Sequence, residues 1–258
     1  MFDIVVFTAL GWERRAVLAG LAEARVRARG RSWSGRAGDL SCLVVQTGVG
    51  RARATAVARA AADAGLFVAC GCAGALAADL VPGDLVIADG VLLLDGAARV
   101  ERRLAAASEP LAAWAARQDI ALHVGPVASS PGVLATAAAK RVAAQTGALV
   151  VEMESAAVAA VAEARGVPFA CVRVVLDVAD QEVPLASELV DEATGEVRPG
   201  RAAVVLAPRP WLWPPVARLA RQTRLAERRL RTFVGAALRA GAFVSRAADE
   251  TPPRVAAR

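Results

Sequence analysis

The chain has little of the chemistry that metal sites and histidine-based catalysis require. Its 258 residues include one histidine, His123, and four cysteines: Cys42, Cys70, Cys72 and Cys171. No two cysteines have the Cys-x-x-Cys spacing that is typical of zinc sites, and a Ser-His-Asp triad would have only His123 to use. We therefore predict no metal site, and we interpret the cysteines as buried, reduced thiols of a cytoplasmic protein.

The sequence also has no segment with the pattern of a membrane span or a signal peptide. The apolar stretch at residues 64–78 is short and rich in glycine, and Asp3 stands where a signal peptide needs basic residues. The N-terminus has the pattern of a first buried strand at residues 4–8 instead. We predict a cytoplasmic protein that is soluble or peripheral to the inner membrane.

Lysine is nearly absent and tyrosine is missing altogether. The formal net charge is nevertheless +6, because arginine supplies every basic residue except Lys140. A positive charge favours anionic partners such as phosphate, nucleic acid or a membrane surface. Since the arginines are scattered and no nucleic-acid-binding motif is found, we predict no nucleic-acid partner.

Strand-like and helical stretches alternate along residues 4–181. The predicted helices lie at residues 13–24, 51–65, 106–117, 135–146 and 155–165. The strands between them are predicted at residues 4–8, 40–47, 66–70, 84–89, 122–128, 148–151 and 169–175. This order predicts an α/β fold, a three-layer sandwich whose central sheet is mixed and mostly parallel.

The chain is expected to form one domain over residues 1–245. A polar, loop-like stretch follows about residue 183, and a Trp/Pro/Arg-rich extension occupies about residues 202–245. Residues 246–258 have the composition of a disordered tail.

Two carboxylates mark a candidate ligand site. Glu154 follows the strand at 148–151, and Asp177 follows the strand at 169–175. Open α/β sheets bind ligands just beyond the carboxyl ends of their strands, so both side chains are candidates for catalysis. The alternative is structural: Glu154 would cap a helix and Asp177 would begin a turn.

The same segment carries a recognisable signature. MESAA at residues 153–157 and VPF-x-x-x-R-x-x-x-DVADQ at residues 167–181 resemble the C-terminal signature of the nucleoside phosphorylase and nucleosidase superfamily. They are most similar to the methylthioadenosine/S-adenosylhomocysteine nucleosidases. The resemblance, over about residues 2–181, implies a nucleoside phosphorylase-like fold and cleavage of an N-glycosidic bond. It implies that Met153 packs on the ribose, that Glu154 accepts hydrogen bonds from its hydroxyls, and that Asp177 protonates the departing purine.

Two more segments match the family in the right order. Glu13 lies four residues after Ala9, where the resembled nucleosidases have the glutamate that orients and deprotonates the attacking water. Gly48, and the run Gly71-Cys72-Ala73-Gly74, are similar to the loops that bring backbone amides to the sugar and the nucleophile. On its own, Glu13 would be interpreted as an acidic residue in the first turn of a helix, where the helix dipole favours it.

The nucleophile loop departs from the phosphorylase pattern. The superfamily's phosphorylases carry an arginine two residues before Gly71 and a serine or threonine after it, whereas this chain has Ala69 and Cys72. Because a neutral thiol binds phosphate poorly, we predict water as the nucleophile and no cofactor. Phosphate remains the alternative co-substrate, with Arg51, Arg53 or a partner subunit's arginine to bind it.

The resemblance further implies a homodimer or a higher oligomer.

The base pocket is predicted at residues 129–134. The resemblance places Ser130, Val133 and Leu134 there, with Val133 at the position of a stacking aromatic residue and Leu176 replacing a common serine before the catalytic aspartate. The alternative for Ser129 and Ser130 is that they are ordinary turn residues.

The C-terminal extension suggests a substrate. Trp211 and Trp213 stand among four prolines, and a basic amphipathic helix is predicted at residues 216–240. This composition suits a membrane interface, although both tryptophans would also serve to pack over the sheet edge. With the departures above, the extension resembles the hopanoid-associated phosphorylase group, which implies adenosylhopane as the substrate. A non-catalytic nucleoside-binding protein and a peripheral membrane protein are the alternative classes.

Overall fold

The structure, a computed structural model, describes residues 1–27, 31–95, 99–183, 190–191, 196–197 and 204–244. The helices are α1 (Gly11–Leu18), α2 (Arg51–Arg59), α3 (Glu109–Arg117), α4 (Ala137–Ala144), α5 (Ser155–Ala164) and α6 (Trp213–Arg239). The strands are β1 (Phe2–Thr8), β2 (Ala22–Val26), β3 (Ser32–Ala37), β4 (Leu40–Gln46), β5 (Ala64–Ala75), β6 (Leu85–Asp95), β7 (Arg99–Ala105), β8 (His123–Ser129), β9 (Val150–Glu152), β10 (Phe169–Asp177), β11 (Val190–Asp191) and β12 (Glu196–Val197).

One large mixed sheet organises the molecule, as the sequence predicts. Its order is β10-β6-β8-β9-β5-β1-β4-β3-β2, and β7 pairs with β6. The central strands β4, β1, β5 and β10 are parallel to one another, whereas β2, β3 and β7 join by antiparallel pairing. Because β10 pairs with both β5 and β6, the five strands β5, β10, β6, β8 and β9 close on themselves. The alternation of elements in the sequence does not predict this closure.

Helices cover both faces of the sheet and produce the predicted three layers. On β1, Val5 and Phe7 pack toward α2 and α5, whereas Ile4 and Val6 pack toward α1, α3 and α6. Residues of a strand buried on both faces are apolar at successive positions, which explains the continuous apolar run of β1. Helix α5 is rich in alanine and nearly all buried, so it lies close against the sheet.

The predicted helix at residues 13–24 is wrong in its second half. α1 ends at Leu18, and the chain continues into β2, which pairs with β3. Gly20 lies at the turn between them, where an added Cβ would stand 2.6 Å from the Cα of Gly235 in α6. All five residues of β2 are exposed, so the strand has no apolar alternation by which the sequence would reveal it.

Helix α6 begins three residues before the predicted start, at Trp213. Pro214 and Pro215 fit in its first turn, where no intrahelical N–H donor is needed. Its second half packs into the core through Leu230, Phe233 and Leu238, whereas residues 213–221 include no buried side chain.

Within the described ranges, no helix is both long and apolar enough to cross a membrane. The predicted tail at 246–258 lies outside the described residues.

Candidate active site

The ends of β9 and β10 meet on either side of the second half of β5. Gly74 of β5 pairs with Val151 of β9 and with Asp177 of β10. The β10 register shifts between Val175 and Asp177, and a bulge of this kind reorients the side chain that follows it. The topology therefore gathers the predicted carboxylates around residues 71–74.

Glu13 reaches this site from the first turn of α1 and is fully buried. The backbone N–H groups of Ala9 and Leu10 donate to its Oε2 at 2.9 Å each, and the N–H of Cys72 donates to Oε1 at 2.8 Å. Burial raises the pKa of the carboxyl group, and the nearby Arg173 opposes this rise. Glu13 does lie in the first turn of α1, where it binds the N–H of the N-cap residue Leu10, and its contact with Cys72 holds the carboxyl group against β5.

Gly71 makes room for this arrangement. An added Cβ would stand 2.6 Å from Oε1 of Glu13 and 2.7 Å from Nη1 of Arg173. Real Cβ atoms essentially never approach that closely. The glycine of the predicted loop therefore lets a buried carboxylate and a buried guanidinium lie against the same stretch of backbone.

Glu154 occupies the N-cap position of α5, but its side chain makes no capping hydrogen bond. Its Oε1 accepts the N–H of Gly50 at 2.7 Å instead. Burial, reinforced by the neighbouring carboxylate of Glu152, raises its pKa from 4.5 to about 8. The alternative prediction was that Glu154 caps helix α5. Another residue has that capping role, and the Glu154 carboxylate binds the glycine turn at residues 48–50 instead.

That other residue is Glu152, which the sequence reasoning missed. Its carboxylate accepts the N–H groups of Glu154 and Ser155, each at 2.9 Å, and it pairs with Arg173 at 2.5 Å. Arg173 also donates to the hydroxyl of Ser155 at 2.5 Å. Burial disfavours charge on Arg173, but the surrounding carboxylates, Glu152 foremost, outweigh it and raise its pKa.

Asp177 ends β10 and is buried beside Gly74, where an added Cβ would be 3.1 Å from its Oδ2. The same Oδ2 contacts Nζ of Lys140 on α4. Burial raises the pKa of Asp177, and Lys140 opposes that rise. Sequence reasoning also missed Lys140, although its being the only lysine of the chain was a signal.

An open cleft of about 320 Å³ lies beside Glu154, whose carboxylate accepts the N–H of the cleft residue Gly50. It is lined by Val49, Gly50, Arg51, Ala52, Arg53, Pro131 and Met153. Gly48 and Gly50 adopt φ angles of +77° and +98°, which only glycine takes readily, and this turn presents the Gly50 N–H to Glu154. Met153, the predicted ribose contact, therefore forms a wall of the cleft next to Glu154.

The predicted base-pocket residues are only partly brought together. The N–H of Ser130 donates to the Glu152 carbonyl at 2.8 Å, and its hydroxyl donates to the Gly132 carbonyl at 2.6 Å, so it closes a turn beside the site. Val133 is 48% exposed. Leu134 and Leu176 are half-buried and pack against different apolar clusters.

The prediction that residues 71–74 form a loop is wrong, because β5 continues to Ala75 and includes them; its residues Cys72 and Ala73 are uncharged. Ala73 is buried in the core, and Cys72 is half-buried. Burial, together with the adjacent Glu13, raises the pKa of the Cys72 thiol well above its ordinary value, so it stays neutral. Ala69 is buried within β5, where it pairs with Phe7 and Cys171.

One protein-family model matches most of this chain. The family model described as the phosphorylase superfamily matches residues 3–207. No curated protein matches significantly.

Solved nucleosidase structures share the fold. The 5′-methylthioadenosine/S-adenosylhomocysteine nucleosidase from Neisseria meningitidis, in complex with methylthio-immucillin-A, has a TM-score of 0.71 and 18% identity over 93% of this chain and 100% of its own. The Helicobacter pylori nucleosidase with butyl-thio-DADMe-immucillin-A has a TM-score of 0.65 and 20% identity, over 92% and 99%. A futalosine hydrolase mutant of H. pylori has a TM-score of 0.56 and 23% identity, over 68% and 89%. At these identities the likeness is one of fold.

Proposed function

The chain belongs to the phosphorylase superfamily and is accordingly a nucleosidase or nucleoside phosphorylase; from that premise we propose that it releases adenine from a 5′-substituted adenine nucleoside by attack of water. The observation that carries this proposal is the convergence of three buried carboxyl groups, Glu13, Glu154 and Asp177, on the turn at Gly50 and on residues Gly71–Gly74 of β5. A site that must protonate a base, stabilise a cationic sugar and activate water needs three such groups.

The reaction distributes its protons among these groups. The C1′–N9 bond breaks, its electron pair passes into the purine, and the purine N7 takes a proton from Asp177. Glu154 stabilises the cation-like ribose as an anion, so the proton that its raised pKa of about 8 lets it hold at neutral pH passes to solvent when the nucleoside binds. Water attacks C1′ and loses a proton to Glu13. No metal or organic cofactor is needed in this scheme.

Water is favoured over phosphate by the residues around Gly71. A phosphate ion would meet the neutral Cys72 thiol and the buried carboxyl of Glu13, neither of which attracts an anion, and the nearby Arg173 is already paired with Glu152. Phosphorolysis is the second candidate, and Arg51 and Arg53 on the cleft wall favour it. In that case Glu13 would have no proton to take from the nucleophile.

The 5′ substituent we propose is a hopane, so that adenosylhopane is the substrate in hopanoid biosynthesis. Two features support this proposal: the open, partly apolar cleft beside Met153, and the C-terminal extension at about residues 202–245. Chromatography of adenine released from adenosylhopane, methylthioadenosine and adenosine tests this proposal. We expect faster turnover of adenosylhopane than of methylthioadenosine or adenosine. Equal or slower turnover of adenosylhopane would contradict the proposal of a hopane substituent. Release of no adenine from any of them would leave a nucleoside-binding protein.

Contact with a membrane through the extension belongs to the same proposal. Trp211 and Trp213 are 68% and 57% exposed, and Arg218, Arg221 and Arg224 follow them on the exposed part of α6. Aromatic rings with nearby arginines suit an anionic membrane interface. Co-sedimentation with anionic vesicles should be lost in a Trp211→Ala/Trp213→Ala variant and retained in Val26→Ala, which removes an exposed apolar side chain from the edge strand β2. Equal binding by all three proteins would contradict the contact.

A homodimer or higher oligomer is also proposed. The cleft is open to solvent in the single chain, and the half-exposed Val133 follows two residues after Pro131 of its wall, so a second subunit would complete the enclosure that a base needs. Light scattering during gel filtration tests this. A monomer that is fully active would refute the proposal.

A further inference from the structure

Lys140 has a position that the three-carboxylate scheme does not use. It is the only lysine in the chain, it lies on α4, and its side chain is 2% exposed. Its Nζ contacts Oδ2 of Asp177 and donates to the carbonyls of Val178 at 2.8 Å and Gln181 at 3.0 Å. The three N–H bonds of the ammonium group thus have one carboxylate and two carbonyls as acceptors.

This geometry suits either location of one shared proton. With the proton on Lys140, the ammonium donates three bonds and Asp177 is a carboxylate. With the proton on Asp177, the neutral amine still donates to the carbonyls of Val178 and Gln181, and its lone pair accepts the bond from Asp177. Neither state leaves a buried polar group without a partner, so moving the proton disturbs little else.

We propose that Lys140 is a positioning residue that holds Asp177 in place and supplies it with the proton that the leaving base takes. In this step an N–H bond of Lys140 breaks and an O–H bond of Asp177 forms, and that O–H bond then breaks as the same proton passes to N7 of the purine. The electron pair of the glycosidic bond goes into the base. Lys140 ends as a neutral amine and regains a proton from water after the products leave. The proposal rests on the proposed glycosidic cleavage.

The choice of lysine is itself informative. Arginine occupies every other basic position, but guanidinium does not lose a proton in proteins and would fix Asp177 as an anion. The neighbouring charged groups on α4 and on the loop after β10, which are Arg141, Asp180 and Glu182, are exposed. Burial and Lys140 are therefore the influences on the pKa of Asp177 that the described residues provide.

Two leaving groups separate proton supply from a structural role. Adenine needs a proton on departure, whereas 4-nitrophenolate from a 4-nitrophenyl riboside leaves without one. The Lys140→Arg variant should lose adenine release about a hundredfold or more in kcat, with little change in KM, and keep the nitrophenyl rate. The matched control is Arg141→Lys, which changes an exposed neighbour and should leave both rates unchanged.

A second variant keeps the test decisive if arginine does not fit. In Lys140→Met, Asp177 keeps its own proton because of burial, so adenine release should persist at acidic pH and be lost at a lower pH than in the wild type. Equal losses with both leaving groups, or pH profiles that coincide with the wild type, would overturn the proposal. If the wild-type protein cleaves neither compound, the proposed function fails instead, and the two failures are distinguishable.

Discussion

Glu154→Gln should make the protein more stable in alkaline solution while it destroys activity. The amide oxygen of glutamine still accepts the Gly50 N–H, so the contact at 2.7 Å survives and only the ionisable group is removed. In the folded chain burial and Glu152 raise the pKa of Glu154 from 4.5 to about 8. Between those values the folded protein holds a proton that the unfolded chain has released.

The sign follows from proton linkage. Where the unfolded state binds fewer protons, stability falls as pH rises. The penalty from Glu154 is absent below about pH 4.5, grows from there and is complete above about pH 8. The slope is at most about 1.4 kcal/mol per pH unit and is smaller near either pKa, so between pH 5 and pH 8 the penalty grows by roughly 3 kcal/mol. The variant lacks this loss.

Urea denaturation at pH 5 and at pH 8 measures the difference. The variant's advantage over the wild type should grow by about 3 kcal/mol between the two pH values. Glu109→Gln, which neutralises an exposed carboxylate in the first turn of α3, is the control and should follow the wild-type pH dependence. Parallel curves for the wild type and Glu154→Gln would refute the reasoning that this carboxyl group is buried and protonated.

Three further substitutions test the site. Glu13→Gln should slow hydrolysis by about a hundredfold or more and cost about 1–3 kcal/mol of stability, because the single amide oxygen can serve Ala9 and Leu10 or Cys72 but not all three N–H groups; near-normal hydrolysis would remove Glu13 from water activation. Asp177→Asn should abolish adenine release while circular dichroism shows an intact fold, and unimpaired release would exclude Asp177 as the acid. Gly71→Ala should destabilise the protein by about 2 kcal/mol in urea denaturation, since the added methyl group would overlap Glu13 and Arg173; unchanged stability would show that this backbone has room.

The sequence predicted the placement of the carboxylates better than their surroundings. Glu154 and Asp177 do come together, but β9 and β10 are not the parallel neighbours that the sequence suggested. β9 runs antiparallel to β5 and β10 runs parallel to it, and the two strands flank Gly74 of β5 without pairing with each other. Lys140 and the Glu152–Arg173 pair were missed, because a buried ion pair joins residues far apart in the chain and has no periodicity of its own.

The fold shows the same contrast. The alternation of apolar strand-like segments with helical segments predicted the mixed sheet and its two helical layers, because strands that are buried on both faces are nearly continuous apolar runs. β2 and β3 lie at the sheet edge, where β2 is wholly exposed and has no such mark. The pairing of β10 with both β5 and β6 depends on tertiary register, which no single segment encodes.

The most direct test of the central claim is the mass of the sugar product, measured with and without phosphate after complete cleavage of a 5′-substituted adenosine by the wild-type protein. The account predicts adenine and an unphosphorylated ribosyl product at the same rate in both solutions. A ribose 1-phosphate derivative that forms only when phosphate is present would contradict it, would make the protein a phosphorylase, and would leave Glu13 without its role.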